Sequence, residues 1–234
     1  MARTCFVTAT DTGVGKTVLT AAIAAGLVAA GGSVRARKPI LTGARPAVDA
    51  ERSEDLRSLD DHVLLAAITG EDPGDVAFAT YEPAVSPHLA AELSGAPLDV
   101  RAIVDELRRV AAATEALVVE GIGGLLVPLA DGWDVRALAA ALDWPVLIAA
   151  RPGLGTLNHT LLTLEAARGH GLNVAAVVLT PWPTQPDAIE RSNRETIARL
   201  GAVEVATLED MPVLTREALA RAAVTLGYDR WLTA

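Results

Sequence analysis

The sequence predicts an α/β fold in which helices cover both faces of a doubly wound, mostly parallel sheet. Strand-like and helix-like runs alternate along the chain, as they do when helices connect parallel strands. The strand-like runs are apolar without polar alternation, which indicates strands that are buried on both faces. With 234 residues, 51% of them apolar, the chain is long enough to bury a large core, and we predict one domain over residues 1–234.

The predicted strands are short apolar runs bounded by turn residues. In chain order they are residues 4–8, 34–38, 116–120, 145–150, 174–179 and 203–206. The stretches between and after them have helical character, starting with an alanine-rich run. These predicted helices are residues 18–30, 56–69, 86–93, 100–113, 135–142, 157–170, 188–200 and 216–226. The polar segment 43–53, which contains Pro46, is predicted as a mobile loop.

Charge and cysteine content narrow the class of protein. Twenty basic residues stand against 29 acidic ones, so the net charge of −9 argues against nucleic acid or an anionic membrane as the main partner. The single cysteine, Cys5, predicts no intrachain disulfide and no thiolate metal cluster. The apolar run at residues 18–30 is shorter than the roughly 20 residues that span a bilayer, and no basic segment precedes it. We therefore expect a cytoplasmic protein.

Residues 8–17 read Thr-Ala-Thr-Asp-Thr-Gly-Val-Gly-Lys-Thr and join the first predicted strand to the first predicted helix. Gly13 and Gly15 lack the Cβ that would keep the backbone away from a phosphate, and the first N–H groups of a helix attract an anion. Lys16 offers a mobile positive charge to the phosphates, and the Thr17 hydroxyl is a ligand for Mg²⁺. This context predicts a nucleotide site, although the strict motif has glycine where Thr10 stands. The alternative is a Gly-Lys-Thr that merely begins a helix.

Three further strand ends carry glycine-bearing turns with a charged residue. The second strand runs into Lys38-Pro-Ile-Leu-Thr-Gly, the third into Glu120-Gly-Ile-Gly-Gly, and the fourth into Arg151-Pro-Gly-Leu-Gly-Thr-Leu-Asn-His. The carboxyl ends of parallel strands meet at one edge of a sheet, where ligands bind. We therefore expect all four turns to form one site.

These motifs together resemble the dethiobiotin synthetase family, which has the P-loop NTPase fold. The resemblance runs from Val7 to about Asn193, and it also includes Glu82-Pro83 and the Ser86-Pro87-His88 segment. The family forms the ureido ring of dethiobiotin from 7,8-diaminononanoate and CO₂, with ATP and Mg²⁺, in biotin biosynthesis. The resemblance implies a carbamate that attacks the γ-phosphate, followed by ring closure from a carbamic–phosphoric anhydride.

The resemblance also implies roles for individual residues. Lys38 holds the carbamate and the transferring phosphoryl group, and Lys16 assists as the second catalytic lysine. The Mg²⁺ ligands are Thr17, Glu120 and an aspartate. Of the three choices, Asp55, Asp60 and Asp61, Asp61 fits the spacing best and Asp55 is the main alternative. The substrate site comprises Thr12, Lys38, Thr42 and Pro87, with Gly153, Leu154, Gly155, Thr156, Leu157 and Asn158 of the partner subunit of a homodimer.

The implied nucleotide site draws on all four turns and two later segments. Its members are Gly13, Val14, Gly15, Lys16, Thr17, Val18, Asp61, Glu120, Gly121, Ile122, Gly123, Thr180, Pro181, Pro212 and Val213. Three features depart from the family pattern. Ala9 and Ile122 stand where the family has glycine and a small residue, and Thr180-Pro181 replaces an asparagine-based pair that recognises the base. Nucleoside triphosphates other than ATP are therefore alternative co-substrates.

Three other functions are compatible with a phosphate loop. An amide ligase related to the cobyrinic acid diamide synthases would need a nucleophilic cysteine, whereas Cys5 lies in the first predicted strand. A nucleotide-dependent switch or partitioning protein would give Lys38 and the 153–159 motif no task. A non-catalytic homologue, or one of altered specificity, is the third, and Ala9 and Ile122 are the reasons to consider it.

Overall fold

A computed structural model of the chain describes residues 2–43 and 55–232. Its main sheet contains six parallel strands in the order β10-β9-β8-β1-β5-β2. These are β1 (Arg3–Ala9), β2 (Val34–Arg37), β5 (Ala116–Glu120), β8 (Val146–Ala150), β9 (Val174–Trp182) and β10 (Val205–Glu209). Two smaller sheets pair β3 (Ile40–Thr42) with β4 (Ala79–Tyr81) and β6 (Pro128–Ala130) with β7 (Trp133–Asp134).

Helices pack on both faces of the main sheet. They are α1 (Lys16–Ala29), α2 (Asp61–Thr69), α3 (Pro73–Val76), α4 (Pro87–Leu93), α5 (Val100–Ala112), α6 (Val135–Leu142), α7 (Thr156–Gly169), α8 (Ala188–Gly201) and α9 (Arg216–Leu226). Among the described residues, 3₁₀ turns cover Leu56–Ser58 and Tyr228–Trp231. Within the described part of the chain, no helix combines the length and apolarity that a membrane crossing requires.

The core consists of two apolar clusters, one on each side of the main sheet. Alternate residues of β1 separate them, since Cys5 and Val7 belong to one cluster and Phe6 to the other. The first cluster is filled by α1, α2 and α9, and the second by α5, α6, α7 and α8. Helix α1 lies so close to α9 that a Cβ added to Gly26 would stand 2.6 Å from the Cβ of Ala223.

The predicted α/β fold and its six parallel strands are confirmed, but several elements differ from prediction. The last strand begins two residues later than expected, at Val205. A continuous helix over residues 56–69 is wrong. The Asp55 carboxylate accepts a hydrogen bond from the Arg57 N–H, and the backbone is extended at Leu59 and Asp60 before α2 begins. Strands β3, β4, β6 and β7 and helix α3 were not predicted, since two to four residues carry too little periodicity.

The predicted loop at residues 43–53 lies, beyond Gly43, outside the described residues. The carboxyl ends of β1, β2, β5 and β8 nevertheless place the four turns singled out in the sequence along one edge of the main sheet.

Candidate functional site

The phosphate loop follows β1 and ends where α1 begins. Gly13 and Gly15 have φ values of 69° and 99°, a region that glycine adopts without strain. Gly15 is the N-cap of α1 and has no side chain to occupy the first N–H groups of the helix. Those groups and the helix dipole are therefore available to an anion.

Lys16 is buried at the base of this loop. Its Nζ donates to the backbone carbonyl of Asp11 at 3.1 Å. Burial lowers the pKa of Lys16, although the negative charge of Glu120 opposes this shift. A lysine that is costly to bury without a counter-charge is well suited to receive a phosphate.

Beside the loop, Lys38 joins the two predicted carboxylates in one cluster. Its Nζ lies 2.7 Å from Oε1 of Glu120 and also donates to Oδ2 of Asp61. The Thr17 hydroxyl donates to the same Glu120 oxygen at 2.9 Å. Burial opposes the charge on Lys38, but Glu120 and Asp61 outweigh it and hold the pKa of Lys38 above its ordinary value.

The cluster leaves one polar atom unsatisfied. Oε2 of Glu120 is buried and has no hydrogen-bond partner among the described residues. A buried carboxylate oxygen without a partner is destabilising unless a cation or donor reaches it. Two carboxylates and a hydroxyl are hard oxygen ligands of the kind that Mg²⁺ takes beside a substrate phosphate. Thr17, Asp61 and Glu120 therefore fit Mg²⁺.

Asp55, the alternative metal ligand, lies in a different setting. Its carboxylate accepts hydrogen bonds from the backbone N–H groups of Arg57 and Leu214, the second at 3.0 Å. Asp61 opens α2 and contacts Lys38, so the geometry associates Asp61 rather than Asp55 with the cluster.

The glycines after β5 allow close packing against the phosphate loop. A Cβ on Gly124 would lie 3.4 Å from the Thr10 carbonyl oxygen, and one on Gly121 would lie 3.1 Å from the Phe6 ring. Gly123 has a φ of 61°. Ile122 packs against the core cluster that contains Phe6. Its side chain is thus accommodated by the core.

The residues expected to bind the base lie near the end of β9 and in the loop after β10. Thr180 is buried against Gly15, where an added Cβ would be 2.8 Å from Cγ2 of Thr180. Pro181 follows it and is exposed. Pro212 and Val213 are exposed in the loop after β10, which adjoins β9 because the Asp210 N–H donates to the Trp182 carbonyl at 2.9 Å.

A cavity of about 400 Å³ adjoins the phosphate loop. Thr12 lies at one wall, and apolar side chains from the β5–β6 loop and α7 form the others, among them Leu126, Val127 and Leu162. Leu126 and Leu162 are each 56% exposed. Sequence reasoning missed these residues, since an exposed leucine cannot be told from a core leucine in the sequence. Thr42 ends β3 and is half-buried, and Pro87 is buried at the first position of α4.

The segment 153–158 forms the start of α7. Gly155, with a φ of 91°, is the N-cap, and Leu154 is 97% exposed. Asn158 and His159 point to an exposed surface, whereas Thr156 is buried. A buried side chain holds this turn, because Nδ2 of Asn193 donates to the carbonyls of Pro152 at 2.9 Å and Gly153 at 3.2 Å.

Arg151, the charged residue that opens the fourth turn, also lies near the phosphate loop, although the sequence prediction gave it no individual role. It directly follows β8, and its guanidinium donates to the Gly13 carbonyl at 3.3 Å. The available signal was its position at a strand end, where Lys38 and Glu120 also stand.

Comparison of the sequence with known proteins identifies a matching family profile and similar proteins. A family profile described as an AAA domain matches residues 3–218. A protein of Mycobacterium sp. (strain KMS), named ATP-dependent dethiobiotin synthetase BioD, is 40% identical over 231 residues that cover 97% of this chain and 96% of that protein. A protein of the same name from Anaeromyxobacter sp. (strain Fw109-5) is 42% identical over 213 residues, 86% of this chain and 91% of that protein.

Solved structures give the same architecture at lower identity. The cell division ATPase MinD of Pyrococcus furiosus matches over 98% of both chains with a TM-score of 0.58 and 17% identity. Likeness at that identity concerns the fold alone, which is that of a P-loop NTPase.

Proposed function

The chain belongs to the family of ATP-dependent dethiobiotin synthetases, and on that premise we propose how its site closes the ureido ring. The protein is a ligase that forms carbon–nitrogen bonds and uses ATP in biotin biosynthesis. The substrates in our proposal are 7,8-diaminononanoate and CO₂. The observation that carries the assignment of residues is the contact of Lys38 with Glu120 and Asp61 beside the phosphate loop.

The proposed reaction has three steps that balance in atoms and charge. One amine of the substrate adds to CO₂, giving a carbamate and releasing a proton. A carbamate oxygen then attacks the γ-phosphorus of ATP, and ADP leaves. The second amine attacks the carbonyl of the resulting carbamic–phosphoric anhydride, which closes the ring, breaks the bond from carbon to the phosphate oxygen and expels inorganic phosphate with the proton that the amine loses. Positioning and charge neutralisation are the main demands of phosphoryl transfer.

Lys38 meets both demands in this proposal. Its ammonium is held at its place by two carboxylates, and its raised pKa keeps it charged at neutral pH. The carbamate and the γ-phosphate are both anionic, so a fixed cation between them lowers their repulsion. Lys16 and the first N–H groups of α1 neutralise the phosphate chain from the other side.

Mg²⁺ is part of the proposal. Thr17, Asp61 and Glu120 would hold it, supported by the unpartnered Oε2 of Glu120. When bound, Mg²⁺ supplies charge neutralisation to the phosphates. Across residues 2–43 and 55–232 no three His, Cys, Asp or Glu side chains are grouped as a metal site, which agrees with a site completed by a hydroxyl and the phosphates.

We further propose a cytoplasmic homodimer in which segment 153–158 of one subunit binds the substrate carboxylate of the other. The free N–H groups at the start of α7 suit a carboxylate, and the exposed Leu154 and Leu162 suit burial against a partner. The apolar wall of the 400 Å³ cavity suits the hydrocarbon chain that joins the amines to the carboxylate.

A product assay with several nucleoside triphosphates tests the proposal. Purified protein with diaminononanoate, bicarbonate, Mg²⁺ and ATP should yield dethiobiotin and inorganic phosphate in equal amounts. Repeating the assay with the other triphosphates measures base selectivity at Thr180-Pro181. Folded protein that binds ATP without making dethiobiotin would contradict the proposal and favour the nucleotide switch or a non-catalytic homologue.

A further inference from the structure

Arg151 stands at the junction of two parts of the site. It follows β8, which pairs with β1 so that Ala149 lies opposite Ala9, and the Thr10 N–H donates to the Ala149 carbonyl at 3.0 Å. The guanidinium reaches from this position to the Gly13 carbonyl at 3.3 Å. The arginine is therefore anchored beside the phosphate loop while its donors stay exposed to solvent.

Without Arg151, the site would carry an excess of negative charge when the nucleotide and the carbamate are bound. Lys16 and Lys38 are balanced by Asp61 and Glu120, so these four groups sum to zero. Asp11, exposed at the start of the loop, adds a negative charge. A triphosphate with Mg²⁺ carries about two net negative charges, and the carbamate adds one. An arginine beside the loop would offset part of that excess.

The backbone after Arg151 is held in place, which limits where the guanidinium can go. Asn193 is buried and binds the carbonyls of the two residues that follow Arg151. A carbonyl is a weak partner for a guanidinium in comparison with a phosphate, which accepts two parallel hydrogen bonds. The side chain needs only a local rotation to exchange one for the other.

Resting on the nucleotide site proposed above, we propose that Arg151 binds the phosphate chain of the nucleotide and serves as a third cation of the phosphoryl-transfer site. The Gly13 carbonyl holds the guanidinium close to the loop before the nucleotide binds. The same donors then face the anion that the loop receives. The carbamate and the substrate carboxylate are the other anions of the proposed site, and neither is present when the binding of a nucleotide analogue is measured alone.

The test compares Arg151→Ala and Arg151→Lys with the wild type and with Arg221→Ala, a change at an exposed arginine of α9. Titration calorimetry measures the affinity for a non-hydrolysable ATP analogue with Mg²⁺, and steady-state assays measure KM for diaminononanoate. We expect Arg151→Ala to weaken analogue binding by about tenfold, with a shallower dependence on salt. Arg151→Lys should keep part of the affinity, and Arg221→Ala should match the wild type.

Analogue binding by Arg151→Ala within twofold of the wild type would overturn the proposal. A rise confined to the KM for diaminononanoate would also overturn it, because it would assign Arg151 to the substrate carboxylate. Thermal unfolding of each variant checks that the fold is intact. If the wild type itself fails to bind the analogue, the nucleotide site as a whole is wrong, which is a separate result from a failure of Arg151.

Discussion

At the scale of single residues, the two lysines of the site carry the same charge in different surroundings. Lys16 is bound to the Asp11 carbonyl and faces the phosphate loop, whereas Lys38 is bound to two carboxylates. Burial lowers the pKa of Lys16, while the carboxylates raise that of Lys38. Substitutions at Lys16 and at Lys38 should therefore have different effects on nucleotide binding and on turnover.

We expect Lys38→Met to lower turnover by about a hundredfold or more, because it removes the cation that faces the carbamate in the proposed mechanism. ATP affinity should fall far less than it does in Lys16→Met. Lys16→Met should weaken ATP binding by about ten- to a hundredfold, since it removes a charged phosphate contact. Titration calorimetry and a dethiobiotin assay measure the two effects, with circular dichroism as the control for folding. Equal loss of ATP affinity in both variants would refute this division of roles.

Cys5 gives a residue-scale prediction about reactivity. The thiol is fully buried in β1, and burial raises its pKa to about 12. Thiolate is the reactive form, so the native protein should resist alkylation at pH 8. Mass spectrometry after iodoacetamide treatment should find no adduct on the native chain and one adduct on the chain unfolded in guanidinium. Rapid labelling of the native protein would show that β1 is accessible.

At the scale of elements, the packing of α1 on α9 depends on the absence of a side chain at Gly26. A Cβ there would be 2.6 Å from that of Ala223 and 2.7 Å from the Tyr228 ring. We expect Gly26→Ala to lower the free energy of unfolding by about 1–3 kcal/mol, since overpacking exceeds the gain in helix propensity.

The matched control for that change is Gly169→Ala at the end of α7. There an added Cβ would have no atom within 4 Å, so stability should stay level or rise by about 0.5 kcal/mol. Urea denaturation curves measure both variants. A Gly26→Ala protein as stable as Gly169→Ala would mean that the two helices can move apart without loss.

The turn before α7 depends on one side chain of α8. Asn193→Ala would remove both hydrogen bonds to the Pro152 and Gly153 carbonyls. We expect KM for diaminononanoate to rise by about five- to tenfold while ATP affinity changes less, because in the proposed dimer this turn presents its N–H groups to the substrate carboxylate. Ser192→Ala, at the exposed neighbouring position, is the control. A general loss of stability with unchanged KM would make the role of Asn193 purely structural.

At the scale of the whole molecule, the exposed leucines beside the site predict how subunits associate. Leu162→Asp places a charge on the α7 surface next to the cavity, and we expect it to shift the protein towards monomer and to lower turnover together. Val224→Asp, at a 78% exposed position on α9, should change neither. Sedimentation velocity measures the association. A fully active monomer would contradict a site completed by the partner.

The parts of the molecule that could be predicted from sequence are those with local signals. A few neighbouring residues are enough to recognise an apolar strand, the Gly15-Lys16-Thr17 turn, or a charged residue such as Lys38 or Glu120 at the end of a strand. Asp61 was assigned to the site only through the resemblance and the spacing that it implies, and its contact with Lys38 was not predicted. Arg151, Asn193 and Leu162 were missed because their importance depends on residues 30 or more positions away.

The position of β1 in the sheet determines when its edges can pair with other strands while the chain is being synthesised. The phosphate loop is translated before β5 and β8, yet β1 lies between these two strands, with Arg3 opposite Ala116 and Phe6 opposite Val146. Neither edge of β1 can therefore be covered until β5 has been synthesised. A nascent chain halted before β8 should expose an unpaired edge of β1 to chaperones. It should also fail to bind nucleotide, although its entire Gly-Lys-Thr motif has already been translated.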